Sequence, residues 1–121
     1  MLRKSLGSWG EEKAAGYLRR RGYRILEMNY KTRVGEIDII ARKGSFIVFV
    51  EVKLRKNADF AEAREYVHTA KQGRIIKTAM MYLACNEIDL QPRFDVVEIY
   101  APEGENSRRI HIEHLENAFE A

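Results

Sequence analysis

The sequence predicts an α/β fold in which a mixed β-sheet is flanked by helices, with elements in the order α-β-β-β-α-β-β. Two segments with helical spacing of apolar residues predict the helices. Five stretches rich in β-branched and aromatic residues predict the strands. Two of these strands are joined by a short turn, and a helix then leads to a later strand. The sheet should therefore contain both antiparallel and parallel pairs.

The first helix is predicted from about Trp9 to Arg21. Ser8 and Glu11 have the spacing of a capping box, which opens helices. The apolar stripe that follows consists of Ala14, Ala15 and Leu18. Gly22 is suited to end the helix, because glycine readily takes the left-handed conformation found there.

Three strands are predicted next, at residues 23–30, 36–42 and 46–54. Lys43 and Gly44 separate the second strand from the third and suit a tight hairpin turn. If these two residues form the turn, Arg42 pairs with Ser45. That register sets Glu36 opposite Glu51 and Asp38 opposite Phe49.

The second half of the chain alternates polar, helical and strand-like segments. Residues 57–68 are polar and alanine-rich, and we expect a loop with partial helix. Thr69 to Gln72 form a second capping box, which predicts a helix over about 70–85. Residues 94–100 and 108–113 are predicted as the last strands, the latter at a sheet edge and followed by a short acidic tail.

The length of 121 residues predicts one domain, spanning residues 1–121. Cys85 is the one cysteine in the sequence, which excludes an internal disulfide and a cysteine zinc site. We expect it to be a buried thiol in a reducing cytoplasm. The N-terminus lacks the apolar stretch of a signal peptide, and the longest apolar run, Phe46 to Val50, is too short to cross a membrane. A cytoplasmic protein without a membrane partner is therefore expected.

The net charge of +3 is unevenly distributed. Residues 1–56 contain 14 Lys or Arg and 6 Asp or Glu, a balance of +8, whereas residues 57–121 contain 7 and 12, a balance of −5. A basic half is what a polyanion-binding face requires. The alternative is a solvated helix end, especially for Arg19 to Arg21.

Charged residues occur inside the two most strand-like segments. Because side chains alternate along a strand, Glu36 and Asp38 should share one face of the second strand, and Glu51 and Lys53 one face of the third. Carboxylates that approach across strands repel unless a cation separates them. Mg²⁺ or Mn²⁺ could fill that role and bind a phosphate oxygen, and Lys53 could orient a water molecule or stabilise negative charge. The alternative is a set of solvent-facing salt bridges.

Other residue patterns do not indicate a site. His111 and His114 lie on a predicted edge strand with poor geometry for a shared metal, and we interpret them as surface residues. Asp95 is interpreted as a structural ion-pair partner, and Trp9 as a packed side chain. Neither a serine in a nucleophile-like context nor a glycine-rich phosphate loop is present, so we expect no small-molecule cofactor.

The stretch from Gly35 to Ala41, followed by Phe49 to Lys53, resembles the signature of the PD-(D/E)XK nucleases, which have the restriction-endonuclease-like fold. The chain is still more similar to the uncharacterised bacterial YraN family, which itself is similar to Holliday junction resolvases. The matching features run nearly end to end: Gly10-Glu11, Ala14, Gly22-Tyr23, Asn29, the two stretches above, Lys71, Arg74-Ile75 and Arg93-Phe94-Asp95. Ile37 stands where the motif's name has proline, a common departure.

The resemblance implies roles for individual residues. Asp38 and Glu51 would be metal ligands, Lys53 the catalytic lysine, and Glu11 the helical acid that completes the site directly or through water. An equal alternative makes Glu11 the capping partner of Ser8. Residues implied or suited to contact nucleic acid are Arg55, Lys56, Lys71, Gln72 and Glu36. For Lys71 and Gln72 the alternatives are a surface lysine and a capping residue.

The resemblance thus implies a metal-dependent endonuclease that hydrolyses phosphodiester bonds in branched or structured DNA, with Mg²⁺ or Mn²⁺ as cofactor and a homodimer as the assembly. A second hypothesis is a nuclease fold that binds nucleic acid or recruits a partner without cleaving. A third is a small interaction protein that uses the acidic C-terminal half as its surface.

Overall fold

Five strands form one mixed sheet, in which their spatial order is the same as their order along the chain. The computed structural model describes residues 6–56 and 69–120. The elements are α1 (Leu6–Arg20), β1 (Arg24–Lys31), β2 (Glu36–Lys43), β3 (Phe46–Arg55), α2 (Thr69–Cys85), β4 (Gln91–Tyr100) and β5 (His111–Phe119), with a short 3₁₀ turn at Gly104–Asn106. The α/β class, the element order and the mixed sheet predicted from the sequence are confirmed.

The strand directions follow from the connections between them. β1, β2 and β3 pair antiparallel through short turns. β3 and β4 pair in parallel, because the chain returns through α2 between them. β5 then pairs antiparallel with β4 and forms the second edge of the sheet.

Each face of the sheet packs against one helix. On one face, Ile75 and Ala79 of α2 join a buried cluster with Ile37 and Phe49. On the other face, Leu18 of α1 packs with side chains of β2, β3 and β4. Since β3 lies at the centre, the side chains of its residues 47–51, which point to both faces, are almost completely buried. The helices therefore fix the central strands, on which the charged residues of interest lie.

The hairpin between β2 and β3 turns one residue later than predicted. Lys43 pairs with Phe46, so Gly44 and Ser45 form the turn. The physical reason is the backbone of Gly44, whose φ of 60° suits the first central position of a type II′ turn. The predicted register is therefore wrong. Ile39 pairs with Val50, and one further step along this register brings Asp38 opposite Glu51, not opposite Phe49.

Two expectations about the helices are also wrong. α1 begins at Leu6, so Ser8 lies inside its first turn and not at its cap. Cys85, expected to be buried, is exposed at the end of α2. The predicted loop at 57–68 lies outside the described residues, and the capping box at Thr69 stays a prediction because the residue before it lies there too.

The last strand is longer than predicted and includes the segment expected to be an acidic tail. β5 reaches Phe119, which pairs with Phe94 and stacks on it at a centroid distance of 5.2 Å. The pairing is irregular between Phe94 and Val96, and Asn117 has a φ of 51°. This irregularity interrupts the alternation of polar and apolar residues, which is why the pattern did not predict a strand there.

Within the described ranges 6–56 and 69–120, no helix has the length and apolar character needed to span a membrane.

Candidate active site

The pairing between β2 and β3 stops beside the two predicted metal ligands. The last paired residues are Ile39 and Val50, so Asp38 and Glu51 occupy the first positions beyond the ladder. The Val52 backbone N–H instead donates to Oδ2 of Asp38 at 2.8 Å. The carboxylate thus replaces a strand partner for β3, and this bond fixes Asp38 close to Glu51.

The side-chain alternation of β2 is interrupted at Asp38. Ile37 packs with the cluster on the α2 face, whereas Ile39 packs with the cluster on the α1 face. Residues two positions apart share a face in a regular strand, so the strand is irregular between them. The predicted common face for Glu36 and Asp38 therefore does not hold. Asp38 lies at this irregular point of β2, where the pairing with β3 has stopped but the pairing with β1 continues to Glu36.

Glu51 is buried and is held by two lysines. Its side chain is 7% exposed, and its Oε1 lies 3.5 Å from Nζ of Lys53 and 2.5 Å from Nζ of Lys71. Lys53 follows Glu51 by two residues on β3 and shares its face, as predicted. Lys71 comes from the first turn of α2, so a helix and a strand meet at this carboxylate.

The pKa values of the site reflect its burial. Burial and the adjacent Glu51 charge raise the pKa of Asp38 to about 7, against the effect of the Val52 hydrogen bond. Burial lowers the pKa of Lys53, and the neighbouring Lys71 ammonium lowers it further. Burial also acts to lower the pKa of Lys71, but its hydrogen bond to Glu51 and the charge of that carboxylate outweigh burial and raise it.

Glu11 on α1 is the third acid of this region. Burial raises its pKa, a side-chain hydrogen bond from Asn29 opposes this rise, and the charges of Glu36 and Glu51 add to it. Its Oε1 is buried and accepts no hydrogen bond from the described residues. A buried carboxylate oxygen without a donor favours a cation or a water molecule beside it.

The donor set fits a hard divalent cation that retains water. Within the described part of the chain, no group of three acidic, histidine or cysteine side chains is close enough to enclose a metal by itself. Mg²⁺, however, is commonly bound by one or two carboxylates and keeps several waters. Asp38 and Glu51 are such a pair. The Glu51 charge helps to raise the pKa of Glu11, and Glu11 would complete such a site through water.

The predicted nucleic-acid contacts are distributed around the site. Glu36 is exposed and forms an ion pair with Lys31 at 3.9 Å. It therefore does not lie opposite Glu51, as the predicted register required. Arg55 is the last residue of β3, beyond Lys53, and Lys56 is exposed after it. Gln72 follows Lys71 in the first turn of α2. Of these residues, Lys71 directly contacts a predicted metal ligand.

Sequence reasoning missed Asn29 as a contributor. It lies on the edge strand β1 with a φ of 55°, in the left-handed region that asparagine tolerates better than most residues. Its side chain donates to Glu11 and so connects β1 to α1 beside the site. Asn29 is one of the residues that carry the family resemblance, which was the available signal, but the sequence assigned it no role and did not identify its partner.

A second buried charged cluster has a structural role. Asp95 is completely buried and accepts two hydrogen bonds from Arg93, at 2.8 and 2.9 Å, and one from the Asn117 backbone. His114 Nε2 lies 2.7 Å from the same carboxylate, with its side chain 6% exposed. The interpretation of Asp95 as an ion-pair partner is confirmed, and that of His114 as a surface residue is wrong.

Comparisons with known proteins find close relatives over nearly the whole chain. A UPF0102 protein of Syntrophotalea carbinolica is 46% identical over 119 residues, covering 98% of this chain and 94% of the relative. One from Caldanaerobacter subterraneus is 44% identical, with coverage of 97% and 96%, and one from Flavobacterium psychrophilum is 39% identical, with coverage of 94% and 92%. The model of the family described as "Uncharacterised protein family UPF0102" matches residues 10–99, which include Glu11, Asp38, Glu51, Lys53 and Lys71. The chain therefore belongs to the UPF0102 family, the YraN-type family that its sequence resembles.

Proposed function

We propose that this protein is a metal-dependent endonuclease of the PD-(D/E)XK type that hydrolyses phosphodiester bonds in branched or structured DNA, as resolvases do. One observation carries the proposal. Two carboxylates, Asp38 and Glu51, meet where β2 and β3 separate, and Lys53 lies 3.5 Å from one of them. Glu51 is buried, and Asp38 and Lys53 are half-buried. Ionisable groups gathered away from water are unfavourable for folding, and such clusters are typical of catalytic sites.

Asp38 and Glu51 would hold the cation, and Glu11 would contact its water shell. A cation bound there, Mg²⁺ or Mn²⁺, would polarise a phosphoryl oxygen and lower the pKa of the attacking water. The chain's own groups orient the reaction. The Val52 N–H fixes the Asp38 carboxylate, and Lys53 is placed to orient the water or to stabilise the negative charge that develops on the phosphate.

The charge distribution supports a nucleic-acid substrate. Residues 1–56, which carry the two acidic ligands, have a balance of +8 despite them. A basic surface around an acidic metal site attracts a polyanion while leaving the cation position acidic. Cutting both strands of a branched DNA requires two sites, so we also propose a homodimer.

A second candidate is a nuclease fold that binds nucleic acid without cleaving it. The contact between Lys71 and Glu51 favours it, because the lysine ammonium already neutralises a carboxylate that a catalytic metal would need. In this alternative Lys71 takes the place of the cation. The two candidates predict the same salt-sensitive DNA affinity and differ in metal-dependent cleavage.

A cleavage panel tests the proposal. Junction, flap, single-stranded and linear duplex DNAs are incubated with Mn²⁺ and either the unmodified protein or Glu51→Ala. Cleavage of at least one substrate by the unmodified protein, lost in Glu51→Ala and in EDTA, is the expected result. DNA binding without cleavage of any substrate would favour the second candidate.

A further inference from the structure

A groove leads away from the candidate site between α1 and the edge strand β1. It has a volume of about 400 Å³, and residues that line it include Ser8, Glu11, Arg19, Met28 and Asn29. Its α1 side is one face of the helix, since Ser8, Glu11 and Arg19 recur at helical spacing. Glu11, the third acid of the candidate site, is one of the lining residues, so the groove begins at that site.

The two ends of the groove have opposite charge. Glu11 and the exposed Glu12 lie at the end near the site, where a cation is expected. Arg19 lies two turns further along α1 and is exposed. Within residues 6–56 and 69–120 its guanidinium has no ion-pair or hydrogen-bond partner. An arginine in this state is available to bind a phosphate with its planar fork.

The walls between these ends suit a sugar–phosphate backbone. Met28 and Ala15 contribute apolar surface, and Asn29 contributes polar atoms. Eight residues of α-helix separate Glu11 from Arg19, a rise of about 12 Å. Nucleotides follow one another at about 3.4 Å along a duplex strand and further apart in an extended one, so this distance corresponds to about two to four nucleotides.

From these observations we propose that the groove between α1 and β1 binds one strand of the nucleic acid, with Arg19 holding a phosphate about two to four nucleotides from the one at the metal site. The inference rests on the proposed function, which it deepens by assigning a path to the substrate strand. Arg19 is a binding residue in this account and takes no part in the chemistry.

The test is fluorescence anisotropy of a labelled single-stranded DNA, measured in EDTA over a series of salt concentrations. Arg19→Ala is compared with Arg20→Ala, which removes the same charge from the next residue of the helix but does not line the groove. Alanine is the best helix former, so neither variant should disturb α1. Arg19→Lys keeps the charge and serves as a rescue.

Arg19→Ala should weaken DNA binding by about threefold to tenfold and reduce the slope of log K against log salt by about 0.7, as expected for one lost phosphate contact on a single strand. Arg20→Ala should stay within about twofold of the unmodified protein, and Arg19→Lys should recover most of the affinity. Equal losses in Arg19→Ala and Arg20→Ala, or no loss in either, would overturn the inference.

Cleavage is scored separately with Mn²⁺, so that the two proposals can fail independently. If the protein cleaves DNA but its DNA affinity does not depend on Arg19, the groove proposal is contradicted and the nuclease proposal stands. If DNA affinity depends on Arg19 but no DNA is cleaved, the nuclease proposal is contradicted and the groove proposal stands. The absence of both binding and cleavage would overturn both.

Discussion

Nζ of Lys71, on the first turn of α2, lies 2.5 Å from Oε1 of Glu51, at the centre of β3. The contact joins a helix to a strand across the position where a catalytic cation is proposed. At this distance the ammonium stabilises the buried carboxylate, whose side chain is 7% exposed. Cation binding at Glu51 must therefore compete with Lys71, and this competition can be measured.

Asp38→Asn should not destabilise the metal-free protein at pH 8. In the folded state burial raises the pKa of Asp38 to about 7, above its unfolded value. The fold therefore loses stability as the pH rises from the unfolded pKa to the folded pKa, and the whole penalty is present at pH 8. Asparagine removes the charge and keeps an oxygen that can accept from the Val52 N–H. We expect an unfolding free energy unchanged or raised by about 1–2 kcal/mol, measured by urea denaturation in EDTA. At pH 3 the two proteins should be equally stable, and a large loss of stability at pH 8 would contradict this account.

Lys53→Ala should reduce the cleavage rate by about 100-fold or more, which is the usual effect of removing a group that stabilises transition-state charge. DNA affinity in EDTA should change little, because the Lys53 side chain is only 18% exposed. The measurement is single-turnover cleavage with Mn²⁺. Lys77→Ala, which removes an exposed lysine from α2, is the matched control and should cleave normally. Cleavage by Lys53→Ala at the rate of the unmodified protein would show that Lys53 is not a catalytic residue.

Asp95→Asn should destabilise the protein by about 3 kcal/mol at pH 7, because it removes the nearer and completely buried carboxylate from the guanidinium of Arg93 and leaves only the exposed Glu116, at 4.0 Å. Burial alone would raise the pKa of Asp95, but hydrogen bonds from His114, Arg93 and the Asn117 backbone outweigh it and lower this pKa. The stabilisation is thus complete above the unfolded pKa of about 3.9 and is lost as the pH falls through the lower folded value.

Urea denaturation of Asp95→Asn and the unmodified protein between pH 7 and pH 2 checks this expectation. The difference between them should stay constant down to about pH 4 and shrink below it. A difference that does not depend on pH would indicate that the carboxylate charge contributes nothing.

Phe119→Ala should cost about 3 kcal/mol of unfolding free energy, because the ring is 8% exposed and stacks on Phe94. The residue lies where the sequence suggested a polar tail, so the experiment tests the added length of β5. Phe46→Ala removes the same ring from a position that is 36% exposed and should cost clearly less. Equal effects of the two substitutions in thermal denaturation would show that Phe119 is not packed.

The sequence was sufficient for the elements and for the common face of Glu51 and Lys53, because alternation along a regular strand decides both. It was insufficient for the hairpin register. That register depends on which residues enter the turn, and Gly44 can occupy either position of a two-residue turn without strain. The error placed Asp38 opposite Phe49 and diagonal to Glu51, whereas the observed register continues to Asp38 opposite Glu51.

The contact between Lys71 and Glu51 could not be predicted from local pattern. It depends on how α2 packs over β3, and the spacing of residues along the sequence does not determine that packing. The burial of His114 was missed for a similar reason, since its partner Asp95 lies on the neighbouring strand at an irregular pairing. Both side chains are polar at positions where surface exposure is the usual expectation.

The most direct test of the metal site is to measure Mn²⁺ binding to the DNA-free protein by isothermal titration calorimetry. The unmodified protein is compared with Glu51→Gln and Lys71→Ala. We expect the unmodified protein to bind Mn²⁺, Glu51→Gln to lose this binding, and Lys71→Ala to bind on the order of tenfold more tightly because a competing charge has been removed. No Mn²⁺ binding by either the unmodified protein or Lys71→Ala, or equal binding by Glu51→Gln, would contradict a cation site at Asp38 and Glu51.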